Sequence, residues 1–167
     1  MDYSRAICRT LHDDHMATIK VLENLEATLS KIGRKTPPPQ DDPALARLLT
    51  DVSAVMQSEI TSHFAFEEEH LFPLIEEIGE TMILSILRNE HDTIRPLAVR
   101  ITEAVKKSRE DGLNQDSWAE FYDLAMELCE RETFHIQKEE MGFLPLLDQI
   151  IEHDDDGALS MAFAEAR

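Results

Sequence analysis

The sequence predicts an all-α chain folded as an antiparallel, up-down four-helix bundle with a short helix at its C-terminus. Three observations predict it. Apolar residues recur at spacings of three and four along four long stretches, the mark of helices that bury one face. Glycine is scarce, and four of the five glycines fall where those stretches end. The two halves of the chain also repeat one another in their polar residues, as two matching helical hairpins would.

The first helix is expected from about Ser4 to Ile32, carrying Ile7, Leu11, Ile19, Leu22, Leu25 and Leu29. Gly33 stops it, and Thr36-Pro37-Pro38-Pro39 makes a stiff connection. Asp42-Pro43 reads as an N-cap followed by proline in the first turn, opening a second helix that runs to about Glu77 before Gly79. The third runs from about Thr81 to Arg109 and ends at Asp111-Gly112, with Pro96 expected to kink or locally break it. The fourth is expected from an N-cap at Asp116 to about Glu152. The run from His153 through Asp154-Asp155-Asp156-Gly157 reads as a polar turn, followed by a short helix over Ala158 to Ala166. Helices of about 30 residues would each span about 45 Å, and short connections pack them antiparallel. The expected organisation is one bundle over residues 1–152 and a tail or short helix over 153–167.

The repeat is specific. Leu11-His12-Asp13-Asp14-His15 in the first helix matches Leu87-Arg88-Asn89-Glu90-His91 in the third. His63-Phe64-Ala65-Phe66-Glu67-Glu68 with Leu71-Phe72-Pro73-Leu74 matches His135-Ile136-Gln137-Lys138-Glu139-Glu140 with Phe143-Leu144-Pro145-Leu146, at one constant offset.

Composition excludes several classes of function. A formal net charge of −18 repels nucleic-acid backbones, so no nucleic-acid partner is expected. No apolar run reaches the roughly 18 residues of a membrane span, and the N-terminus lacks the apolar core of a signal peptide. Cys8 and Cys129 form no CxxC pattern and read as reduced thiols, so a cytoplasmic location is expected.

The chemistry lies on the apolar faces. His63 and Glu67 are one helical turn apart, as are His135 and Glu139. His15 shares a stripe with Cys8, Leu11, Ile19 and Leu22, and His91 one with Leu84, Leu87, Ile94 and Ala98. Each helix thus turns one histidine inward, and two add a carboxylate. The alternative is four unrelated core histidines satisfied by hydrogen bonds. Burying that many polar groups without partners costs about 1–3 kcal/mol each, and a metal removes the difficulty. Mixed imidazole and carboxylate ligands suit iron, manganese or zinc. Four histidines and two carboxylates are too many for one tetrahedral zinc, but two metals bridged by Glu67 and Glu139 would use them all. His70 lies on nearly the same face as His63, two turns on and level with Gly142. His12 and Glu59 lie one turn before His15 and His63. These three are candidates for an additional ligand or for support of the ligands, with surface positions the simpler reading. Glu68 and Glu140 read as solvated or as supports.

The paired motifs, each preceded by a helix with an isolated inward histidine, resemble the hemerythrin HHE cation-binding domain over roughly Arg9 to Ile151. The resemblance implies a four-helix bundle with a non-haem di-iron centre, two Fe2+/Fe3+ ions with an oxo or hydroxo bridge, for which manganese or zinc can substitute. Its ligands would be His15, His63, Glu67, His91, His135 and Glu139. Oxygen-carrying hemerythrins have a further histidine one turn after the helix-three ligand, where this chain has Arg95. The pattern is therefore closer to bacterial HHE proteins and HHE iron-sensing domains. The implied function is binding or sensing of a small diatomic ligand, oxygen or nitric oxide, or of iron itself. The alternative is an oxidoreductase acting on nitric oxide or peroxide, or in iron–sulfur cluster repair. Repair-type relatives usually carry an N-terminal cysteine-bearing domain, and this chain starting almost at helix one favours the binding reading.

Overall fold

The computed structural model describes residues 3–39, 41–58 and 62–166. Every regular element among them is helical. In chain order these are α1 (Ala6–Ile32), α2 (Pro43–Ser58), α3 (Phe64–Phe66), α4 (Phe72–Glu77), α5 (Thr81–Asp111), α6 (Gln115–Lys138), α7 (Leu144–Ile150) and α8 (His153–Ala166). Two π-helical segments, Glu67–Leu71 and Glu139–Phe143, join α3 to α4 and α6 to α7. α1 packs on α2 and α6, and α5 closes the ring by packing on both α2 and α6. That is the up-down bundle expected from the periodicity, with sequence neighbours adjacent in space. No helix among the described residues is long and apolar enough to cross a membrane.

The apolar stripes meet in two separate cores. One gathers Leu22, Leu25, Leu29, Val52, Met56, Ile101, Trp118 and Leu128. The other gathers Ile7, Leu11, Leu71, Phe72, Leu87, Phe143, Leu147 and Phe163. Trp118 is wholly buried, with its indole N–H donating to the Gly33 carbonyl at 2.9 Å, so it is a core residue. Every long helical stretch crosses from one core to the other, and the inward histidines lie at the crossing.

Four sequence expectations are corrected. The helix after Gly112 is capped by Asn114 rather than Asp116. Asn114 Oδ1 accepts from the Ser117 N–H at 2.9 Å, and Ser117 Oγ accepts from the Asn114 N–H at 3.0 Å. This reciprocal pair satisfies two orphan donors, leaving Asp116 in the first turn. Pro96 does not break α5, which is continuous from Thr81 to Asp111. The second and fourth stretches are not simple α-helices. Pro73 and Pro145 lack a backbone N–H, and each ring would crowd the carbonyl four residues back. The backbone widens there, so that Phe72 N–H bonds to Glu67 O and Leu144 N–H to Glu139 O.

The fourth correction concerns the acidic run. The fourth stretch ends at Ile150, Ile151 is extended, and His153 to Gly157 open α8 instead of forming a turn. Aspartates in a first turn suit the positive end of the helix dipole. Asp156 is buried because its carboxylate caps another helix: Ala6 N–H donates to Oδ2 at 2.8 Å and Ile7 N–H to Oδ1 at 2.9 Å. Asp148 accepts from the Arg5 N–H at 2.7 Å. Arg5, the residue preceding α1, offers no side-chain cap of its own, so the C-terminal segment supplies one. Asp156→Ala should therefore lower stability by about 1–2 kcal/mol, as loss of an N-cap does, measured by urea unfolding. Asp155→Ala, whose residue is exposed, should have little effect.

Candidate metal centre

The polar layer between the two cores contains His15 from α1, His63 and Glu67 from the second stretch, His91 from α5, and His135 and Glu139 from the fourth. All six are 0–3% exposed. Their nitrogen and oxygen atoms form two groups, each within 4.8 Å: His15, His63, Glu67 and Glu139 in one, and Glu67, His91, His135 and Glu139 in the other. The two carboxylates belong to both. Glu67 turns Oε1 to His63 Nε2 at 3.2 Å and Oε2 to His91 Nε2 at 3.4 Å. Glu139 turns Oε2 to His15 Nε2 at 3.1 Å and Oε1 to His135 Nε2 at 3.0 Å. Each carboxylate thus gives one oxygen to each imidazole pair.

The outward nitrogens settle the tautomers. Nδ1 of His15 lies 2.7 Å from Glu140 Oε1, that of His91 2.7 Å from Glu68 Oε1, and that of His135 3.0 Å from Glu90 Oε2. A carboxylate only accepts, so these Nδ1 atoms carry hydrogen and each Nε2 can present its lone pair inward. His91 Nε2 and His135 Nε2 face each other at 3.2 Å, and His15 Nε2 and His63 Nε2 at 3.1 Å. Two imidazole nitrogens facing each other at that distance require a proton or a metal ion between them. The four oxygens of Glu67 and Glu139 are buried without a well-formed hydrogen bond among the described residues. A shared proton relieves one contact, whereas a divalent cation satisfies all four donors of a group. The donor set therefore fits two cations.

The hemerythrin HHE cation-binding domain family matches residues 6–147. The chain belongs to that family. No curated protein matches the chain.

In this HHE domain the residues beyond the six divide clearly. Glu68 and Glu140 support His91 and His15 through the contacts above. Glu90 does the same for His135 and is itself held by Lys138 Nζ at 2.7 Å. Sequence reasoning misses Glu90. The available signal is that an acidic residue adjoins a centre residue at Glu68, Glu90 and Glu140 alike. His12 is a quarter exposed and reaches Glu140 Oε2 at 2.8 Å, so it touches the centre only through that carboxylate. Tyr3 donates to the same oxygen at 3.2 Å. His70 does not join the centre: it is exposed, with its ring against Phe66 at 4.8 Å. Nor does Gly142 leave space for it, since a Cβ there would meet Ile83 Cδ1 of α5 at 2.9 Å. Glu59 lies outside the described residues. Arg95 pairs with Glu68 Oε1 at 2.7 Å. Cys8 and Cys129 are buried thiols, each pushed up to about 12 by burial first, and stand as inert core residues.

The imidazoles and carboxylates hold one another's charge. Burial alone would lower the pKa of His15, but its contacts with Glu139 and Glu140 outweigh burial and raise it to about 10. His91 is held up to about 9 against burial by Glu139 and Glu67, and His135 is raised against burial by Glu139 and Glu90. Burial and the charge of Glu139 push Glu67 up, but His63 and His91 bring it below the ordinary carboxylate value. His135 and His15 hold Glu139 well below that value despite burial.

This sets the pH response of protein stripped of metal by a chelator. Histidines with folded pKa values above the unfolded one stabilise fully below pH about 6.5, and that contribution is lost as pH rises toward 9 and 10. The depressed carboxylates stabilise above pH about 4.5 and lose that contribution as pH falls. The stripped protein should be most stable between about pH 5 and 6.5 and weaken above it. Metal binding competes with protons, so the stabilisation added by metal should grow over that same alkaline range. Thermal unfolding from about pH 5 to 9, with and without metal, measures both slopes.

Proposed function

We propose that His15, His63, Glu67, His91, His135 and Glu139 hold two iron ions, with an oxo or hydroxo bridge, and that the protein binds or senses a small diatomic ligand, oxygen or nitric oxide. The observation carrying this reading is the division of each carboxylate, one oxygen to each imidazole pair. A single-metal site has no use for that symmetry, whereas two bridged metals do. Imidazole and carboxylate donors with no thiolate suit iron, with manganese or zinc as substitutes. Such a pair of ions, when bound, supplies redox-active Lewis-acid positions to which a small ligand can attach.

The chain's own residues determine what reaches it. The six donors are almost fully enclosed, and aromatic rings lie against them: Phe64 stacks on His91 at 3.9 Å and Phe72 lies 5.7 Å from the same ring. A site so enclosed favours a ligand of two or three atoms over a larger substrate. Glu68, Glu90 and Glu140 keep the Nδ1–H tautomers and so keep Nε2 free for metal. The apolar cores above and below exclude bulk water, which strengthens every electrostatic contact inside.

Anaerobic reconstitution with ferrous iron should load two ions per chain, measured by iron analysis. Glu67→Ala and Glu139→Ala should each lower the content of both positions, because each carboxylate serves both. His15→Ala should affect mainly one, and His70→Ala neither. Bands in the visible spectrum that change reversibly with oxygen or nitric oxide support the binding reading. Sustained consumption of nitric oxide or peroxide with a reductant would replace it with the oxidoreductase, and a colourless protein without iron would end both.

A further inference from the structure

The internal repeat makes the two halves of the centre equivalent at first sight. His15 corresponds to His91, His63 to His135, Glu67 to Glu139 and Glu68 to Glu140. The equivalence extends to the supporting carboxylates. Glu140, on the fourth stretch, holds His15 on the first; Glu68, on the second, holds His91 on the third. It breaks one step further out. Glu140 Oε1 serves His15, while Oε2 is held by His12 and the neutral hydroxyl of Tyr3. Glu68 uses a single oxygen, Oε1, for both His91 Nδ1 and the guanidinium of Arg95, each at 2.7 Å.

Arg95 has a second route to the same imidazole. Its guanidinium carbon lies 5.8 Å from the centre of the Phe64 ring, and Phe64 lies face to face with His91 at 3.9 Å and 11°. Neither residue is repeated at the matching position of the other half. Four residues after His15 stands Ile19 where Arg95 follows His91, and the repeat places Ile136 where Phe64 stands. A guanidinium and a face-to-face aromatic plate thus bear on His91, and its neighbour His135 has Lys138 behind Glu90, whereas the carboxylate behind His15 is backed by His12 and Tyr3.

The geometry points to Arg95 as a positioning residue that, through Glu68 and Phe64, fixes His91 and makes the two metal positions unequal. The Glu68 carboxylate is pinned by a charge that cannot titrate away, so the His91 ring has less freedom to swing off its metal than its counterpart His15. The position served by His91 and His135 is then the more firmly held. This inference rests on the two-metal reading above.

Zinc is the probe, since it has no redox chemistry of its own. Full-length protein loaded with two equivalents is mixed with excess chromophoric chelator, and release is followed. The wild type should release zinc in two phases. Arg95→Leu should quicken the slower phase by about threefold or more and leave the faster within about twofold. Loss of a direct support costs about 10–100-fold in metal affinity, and Arg95 stands one contact further out. Arg95→Lys, which keeps a cation, should recover part of the slow phase. In the zinc-loaded protein the Nδ1 proton resonance of His91 should move in Arg95→Leu while that of His15 stays. Arg95 is 29% exposed, so the bundle should tolerate the change. If Arg95→Leu does not fold, Arg95→Gln carries the same two measurements. A single release phase in the wild type, or equal quickening of both phases in the variant, would overturn the inference. A wild type that takes up neither zinc nor iron would instead bring down the two-metal reading.

Discussion

Six polar groups packed between two greasy cores are the constraint from which the rest of the structure follows. Isolated, each of these imidazoles and carboxylates would cost several kcal/mol to take out of water. They are tolerated because they face one another: every Glu67 and Glu139 oxygen lies within 3.0–3.4 Å of an imidazole Nε2. The outer nitrogens of His15, His91 and His135 are tied to half-buried carboxylates that reach from a neighbouring helix. In each case the support comes from a different helical stretch than the imidazole it holds. The polar layer therefore does in the middle of the bundle what leucine and phenylalanine do at its ends, joining all four stretches, but with directional contacts instead of area.

The π-helical segments belong to the same constraint. Both begin at the glutamate that contributes to the centre, and both end one residue before the turn that contains a proline. The wider turn absorbs the proline without parting the helix. Within it successive glutamates face different ways, as successive helical residues do: Glu67 and Glu139 inward, Glu68 and Glu140 across to the next helix. In this chain the segment that makes room for a proline is also the segment that delivers two carboxylates to two different tasks.

Much of this is legible in the sequence. The helices declare themselves through a 3.6-residue period. The six inward residues stand out because polar groups on an apolar stripe, repeated in both halves at matching heights, need a common partner to offset their burial. What escapes has a physical reason in each case. Hydropathy carries no trace of a widened hydrogen-bond register, so the π-helical turns before Pro73 and Pro145 leave no mark in the periodicity. Asn114 and Asp116 are both good caps, and only the reply from Ser117 chooses between them. Glu90 resembles any solvated acid because its partner, His135, sits on the next helix. His70 shares the angular position of His63, but angle alone does not bring a side chain to the centre, and the wider turn intervenes between the two. The acidic run near the C-terminus reads as a turn because its partners, the amides of Ala6 and Ile7, lie at the far end of the sequence.

That last contact has a consequence for how the molecule is made. A ribosome delivers α1 long before residues 148–156, so the amides at the head of α1 must wait, in solvent, while the whole bundle is threaded out behind them. Until then the helix bearing His15 lacks the carboxylates that cap it. Vectorial synthesis thus leaves the head of α1 uncapped until Asp148 and Asp156 have been made. Stitching the first helix to the last makes a fully capped α1 the property only of polypeptides that have emerged beyond Asp156.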